Sequence, residues 1–105
     1  MDFTKLGGLI PAVIQDITSG DVLMVGFMNE EALAQTRATC YVTFFSRTRK
    51  TLWTKGETSG NRLRVIESLV DCDDDTLLLK VKVEGRGAVC HKGTPTCFRL
   101  EEGFK

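Results

Sequence analysis

The chain has 105 residues, 42% of them hydrophobic, with 14 basic and 14 acidic side chains. That length fits one domain, which buries only roughly two-thirds of the surface its unfolded chain exposes, so a deep cleft built from one copy alone is not expected. A net charge of zero argues against a general nucleic-acid binder, and no apolar run approaches the ~20 residues of a membrane span.

Leu9 to Gln15 is an apolar run containing Pro11 and reads as an edge strand. Asp16 to Asp21 carries turn chemistry, and Val22 to Met28 reads as a second, more buried strand that closes an N-terminal hairpin. Asn29 suits an N-cap, with Glu30 and Glu31 in the first turn, where the helix dipole favours acids; the helix runs to about Arg37. Tyr41 to Ser46 and Lys50 to Lys55 read as strands joined by a basic turn, followed by a polar loop from Gly56 to Asn61. Arg62 to Asp71 is β-like, but its alternation slips at Val65-Ile66, which predicts a bulge. Leu77, Leu79, Val81 and Val83 alternate with Lys80 and Lys82, the pattern of a half-buried strand. Residues 85–96 form a Gly-rich loop, and Cys97 to Leu100 reads as a last short strand. The expected fold is α+β, a β-rich single domain over residues 1–105 with one short helix.

Metal-binding side chains concentrate in residues 71–97, which hold Cys72, Cys90, Cys97, the only histidine and the run Asp71-Cys72-Asp73-Asp74-Asp75. Thiolates suit zinc and carboxylates suit magnesium, so one segment offers two chemically distinct sites. Zinc takes four protein ligands in structural sites, and three plus a water in catalytic ones. With His91 bound, Cys72, Cys90 and Cys97 would make a closed site; with His91 off the metal, the fourth position is open. Adjacent residues rarely chelate one tetrahedral ion comfortably, which favours Cys90 as ligand and His91 as proton carrier. Neither cysteine spacing is the Cys-x-x-Cys knuckle of zinc ribbons. The competing explanation is that the cysteines are small buried hydrophobes, and it is preferred for Cys40, which lies in an apolar stretch. No signal-peptide pattern is present, so reduced thiols in the cytoplasm are expected rather than a disulfide framework.

In extended chain Asp71, Asp73 and Asp75 share one face, while Cys72 and Asp74 point the other way. Three carboxylates on one face repel unless a cation sits among them, and magnesium accepts such oxygen ligands. A solvated acidic turn is the alternative. Upstream, Ser46-Arg47-Thr48-Arg49-Lys50 and Lys55-Gly56-Glu57-Thr58-Ser59-Gly60-Asn61 combine cations, hydroxyls and glycines. Arginine grips phosphate bidentately and Gly-rich backbone presents N–H groups to it, so Arg47, Arg49, Lys55, Ser59, Gly60 and Asn61 are the candidate anion-binding residues. Trp53 and Phe44-Phe45 either flank a base or fill the core, with the core preferred. No P-loop is present.

These strings resemble the phosphoribosyl-AMP cyclohydrolase family of histidine biosynthesis. The resemblance runs through Pro11-Ala12-Val13-Ile14-Gln15-Asp16, Met28-Asn29-Glu30-Glu31-Ala32-Leu33, Ser46-Arg47-Thr48-Arg49, Leu52 to Asn61, Asp71-Cys72-Asp73, Cys90-His91 and Cys97-Phe98. It implies an intertwined homodimer. It implies zinc held across the dimer interface by Cys72, Cys90 and Cys97, and magnesium held by Asp71, Asp73 and Asp75. The implied reaction is hydrolysis of the N1–C6 bond of an adenine ring that carries a phosphoribosyl group on N1. The chain departs from the family pattern in a longer segment between Cys72 and Cys90, in Ala88-Val89 after Gly87, in Lys92 and in Asp74. Some members carry a fused pyrophosphohydrolase domain; this chain ends at Lys105 and is expected to be monofunctional.

The residues suit that reaction. Zinc acidifies water toward a pKa of ~7, and histidine, with an ordinary pKa near ~6.5, suits proton transfer. Two phosphates on the substrate would explain a basic middle segment in a chain of zero net charge. The rivals are a non-enzymatic structural zinc-binding module and a thiol redox protein using Cys90 and Cys97. Both leave the Ser46 to Asn61 segment unexplained.

Overall fold

The computed structural model describes residues 1–103. Strands β1 (Ile10–Asp16), β2 (Val22–Met28), helix α1 (Glu30–Thr39), and strands β3 (Thr43–Ser46), β4 (Thr51–Thr54), β5 (Leu63–Val70) and β6 (Leu77–Val83) follow in chain order. Four strands form one sheet in the order β2-β1-β6-β5, and β3 and β4 form a separate hairpin. The α+β expectation with one helix holds. No helix among the described residues is long and apolar enough to cross a membrane.

Two strand placements differ from expectation. β1 is central, paired antiparallel with β2 and parallel with β6. Pro11 is tolerated there because it sits near the start of the strand, one residue before the β6 ladder begins at Ala12 and Leu77. β2 is an edge strand instead of the more buried one, and Val22 and Val25 are exposed on it. The cause is topological: the chain returns from β5 to place β6 beside β1, a pairing that local patterning does not encode.

The bulge is where the alternation slips. Val65 pairs with Val81 and Glu67 with Lys80, leaving Ile66 unpaired and half exposed. On β1 and β6, Ile10, Ala12, Ile14, Leu77, Leu79 and Val81 all face the core. Helix α1 and the β3–β4 hairpin cover this face. Asn29 caps the helix, its Oδ1 accepting from the Ala32 N–H at 2.8 Å. Buried Thr36 pins the helix to the hairpin, since its Oγ1 accepts from the Thr43 N–H at 3.0 Å. Gly26 lies directly under the Phe44 ring, where a Cβ would collide with it.

Two further expectations fail. Residues Cys97 to Leu100 form no strand; instead the Cys97 N–H donates to the Leu23 carbonyl at 2.7 Å, tying the loop to the β2 edge. Cys40 is exposed, not buried: it is the left-handed C-cap of α1 at φ 67°, which turns its side chain out of the apolar stretch around it.

Candidate active site and metal-ligand clusters

Two loops and the β3–β4 hairpin build the site. The first loop follows β4, which runs out of the hairpin into Lys55. Gly56 turns at φ 81°, and a Cβ there would collide with the Asn61 backbone, so the turn requires glycine. The Gly60 N–H donates back to the Gly56 carbonyl at 2.8 Å, closing the loop. The second loop follows β6. The Asn61 Oδ1 accepts from the Arg86 N–H at 2.8 Å, so one amide oxygen ties the two loops together. Val89, 1% exposed, anchors the second loop in the core and fixes the approach of Cys90 and His91. The turn is completed by the Gly93 N–H donating to the Cys90 carbonyl at 2.9 Å and the Cys90 N–H donating to the Thr94 carbonyl at 3.0 Å.

Between these loops and the hairpin lies a cleft of about 610 Å³. Arg49, Lys55, Ser59 and Asn61 line it together with Cys90 and His91. The candidate anion-binding segment and the thiol–histidine segment, far apart in sequence, therefore share one cavity. Arg47 lies outside it, its guanidinium 4.2 Å from the centre of the Phe27 ring. Gly60 does not line it either and packs instead against Gly85. Trp53 does both things an aromatic there can do. It packs against the core, 5.2 Å from the Phe44 ring centre, and also forms part of the cleft wall. Lys55 Nζ is 6.0 Å from the Trp53 ring centre. Ser46, Thr48, Glu57 and Thr58 also line the cleft. Their signal in the sequence is their place within the two basic, hydroxyl-rich segments.

Cys90 and Cys97 adjoin, and each alters the other's proton affinity. The Lys92 backbone N–H, with the Thr94 and Cys97 side chains and the Lys92 charge, pulls the Cys90 thiol below its ordinary value. Partial desolvation of its sulfur pushes Cys97 up, although the residue as a whole is exposed, and the neighbouring Cys90 adds to the effect. The two neighbouring thiols are thus shifted in opposite directions, Cys90 toward easier deprotonation and Cys97 away from it. Cys72 is exposed at the end of β5. Among the described residues it does not complete a three-ligand group with Cys90 and Cys97 within one chain.

Asp71, Asp73 and Asp75 do gather, with one oxygen from each within 4.8 Å of the others. The means differ from expectation. The segment is a turn and not extended chain, with Asp74 in the left-handed region at φ 61°. Asp71 Oδ1 accepts from the Asp75 N–H at 3.1 Å and the Thr76 N–H at 3.3 Å, which folds the loop around that carboxylate. Lys5 Nζ lies 3.0 Å from Asp75 Oδ2. That hydrogen bond holds the Asp75 carboxyl below its ordinary value and raises the Lys5 amine.

Fold and cleft together define a β-rich α+β domain with a hydroxyl- and cation-lined cavity open to a thiol and an imidazole, beside a separate carboxylate loop. The model of the phosphoribosyl-AMP cyclohydrolase family matches residues 24–99, and the chain belongs to that family. A protein of Desulfatibacillum aliphaticivorans named phosphoribosyl-AMP cyclohydrolase is 55% identical over 106 residues, covering 100% of this chain and 84% of that protein. One of the same name from Solibacter usitatus is 55% identical over 105 residues, covering 98% and 82%. The histidine biosynthesis bifunctional protein HisIE of Photobacterium profundum is 60% identical over 98 residues, covering 93% of this chain and 46% of its own. The chain thus spans about half the length of the bifunctional relatives it matches.

Proposed function

We propose that the chain hydrolyses the N1–C6 bond of the adenine ring of phosphoribosyl-AMP, in histidine biosynthesis, as a homodimer dependent on zinc and magnesium. The observation that carries this reading is the shared cleft. In a member of this family, the cations and hydroxyls suited to phosphate stand in one cavity with Cys90 and His91. Trp53 offers a wall for the purine, and Arg49, Lys55 and Ser59 take the phosphates. Asn61 holds the two loops in register. Arg47, stacked on Phe27 outside the cavity, takes no phosphate in this arrangement, and Gly60 contributes through the shape of the loop.

The donor sets fit the two ions. Paired thiols, one of them biased toward thiolate, suit zinc, and three clustered carboxylates suit magnesium. Cys90 and Cys97 of one protomer with Cys72 of its partner would hold the zinc, and Asp71, Asp73 and Asp75 the magnesium. When bound, zinc acidifies water at neutral pH. The proton path belongs to His91. It accepts the proton of the water that adds to C6, then delivers it to N1 as the N1–C6 bond breaks. Exposure of His91 on the cleft side of a turn fixed by Gly93 and Thr94 suits this shuttle better than burial would.

The outer face of the sheet supports a second copy of the chain. Register places Val25, Val13, Leu78 and Leu69 in one row across all four strands, and Val25 and Leu69 are exposed. Such a row is the apolar surface that an interface between copies buries. β5 is also the edge strand that leads straight into Cys72. Four free cysteines suit the reducing cytoplasm.

The test is complementation. Cys72→Ala and Cys97→Ala proteins, each inactive alone, are mixed under conditions of subunit exchange. A mixed dimer keeps one intact site made from both chains, so partial activity returns. If exchange is demonstrated and no activity returns, the shared-zinc arrangement is wrong.

A further inference from the structure

Lys5 lies outside the residues matched to the family and has no part in the chemistry described above. Its ammonium is nevertheless placed on the carboxylate loop, 3.0 Å from Asp75 Oδ2. Asp75 is the least exposed of the three clustered aspartates. The N-terminal arm that carries Lys5 is held there without its help. The Asp2 N–H donates to the Asp74 carbonyl at 2.6 Å, the Gly8 N–H donates to the Phe3 carbonyl at 2.8 Å, and Met1 and Phe3 pack against the core. The lysine is therefore delivered to the acidic loop at a high effective concentration. The charges of Asp73 and Asp2 add to the attraction of Asp75.

Three carboxylate oxygens within 4.8 Å repel one another, and a cation relieves that repulsion. Magnesium requires short, near-octahedral contacts to the same oxygens. An Asp75 oxygen that is hydrogen-bonded to an ammonium is a poorer ligand for the ion, and the ammonium's charge opposes the ion's approach. We propose that Lys5 is a built-in counter-cation of the Asp71–Asp73–Asp75 loop that competes with the divalent ion and weakens its binding. The arm thereby sets the magnesium concentration at which the loop fills, and magnesium binding releases Lys5 from Asp75. The inference rests on the reading of these aspartates as the magnesium site.

The experiment is calorimetric titration of magnesium chloride into the purified 105-residue chain, comparing wild type, Lys5→Met and Lys5→Arg. Methionine keeps an unbranched apolar stem and removes the charge; arginine keeps the charge. Exposed ion pairs are weak, so Lys5→Met is expected to tighten magnesium binding by about two- to fivefold. Lys5→Arg is expected to return it toward wild type, and added potassium chloride to narrow the difference. Asp73→Asn, which is expected to abolish the heat, locates the binding. Equal or weaker affinity in Lys5→Met overturns the proposal and leaves the carboxylate site standing. Absence of magnesium binding in every protein overturns both together.

Discussion

In the sheet, Ile10, Ala12 and Ile14 alternate inward along β1 and Leu77, Leu79 and Val81 do so along β6, so each strand is held by packing on one face. In the cleft the arrangement is the reverse. The loops after β4 and β6 bury almost nothing except Val89, and they are shaped by glycines at positive φ and by single side-chain contacts such as Asn61 to Arg86. The sheet tolerates changes that preserve volume and pattern; the loops depend on a few irreplaceable positions. Burial is concentrated in one region and the proposed chemistry in the other, and substitutions should separate the two.

The largest separation is expected at His91. His91→Ala should lower turnover by about 10²–10⁴-fold, the contribution typical of a general acid–base group, while zinc content and unfolding midpoint stay near wild type. Single-turnover rates beside elemental analysis check this. Loss of zinc in the variant would make His91 a ligand and close the site. Ile14→Ala tests the opposite corner. It should cost about 2–5 kcal/mol in urea denaturation, as buried Ile-to-Ala changes do, with near-normal turnover per folded molecule. Gly56→Ala should blur the contrast. A left-handed conformation forced on alanine costs about 1–3 kcal/mol, and the clash with the Asn61 backbone displaces the cleft wall. Both the denaturation midpoint and the apparent affinity for substrate should fall. A variant that lost stability alone would show that the loop's shape is not coupled to binding.

The same division governs what could be read from the chain. The helix, the six strands from Ile10 to Val83, the cap at Asn29 and the bulge beside Ile66 follow from local periodicity and turn chemistry and are found where expected, whereas the short apolar run from Cys97 forms no strand. Strand order is set by long-range pairing. That is why a proline-containing run that reads as an edge lies at the centre of the sheet, and why Val22 to Met28 lies at its edge. The site residues were legible as chemical types. Their grouping was legible only in part: Arg49, Lys55, Ser59, Asn61, Cys90 and His91 share the cleft, whereas Arg47 stacks on Phe27. The aspartates were expected to cluster through strand alternation and do so through a turn nucleated by Asp71. Lys5 was invisible because its partner lies 70 residues away and neither side chain is unusual in its local context.

The central claim is that the cleft and its thiols open the adenine ring of phosphoribosyl-AMP. The direct measurement is the ultraviolet change on ring opening when purified protein, supplied with zinc and magnesium, is mixed with that substrate. The account predicts a change that a zinc chelator abolishes and added zinc restores. Unchanged absorbance with metal-supplied protein, or turnover indifferent to the chelator, would contradict it.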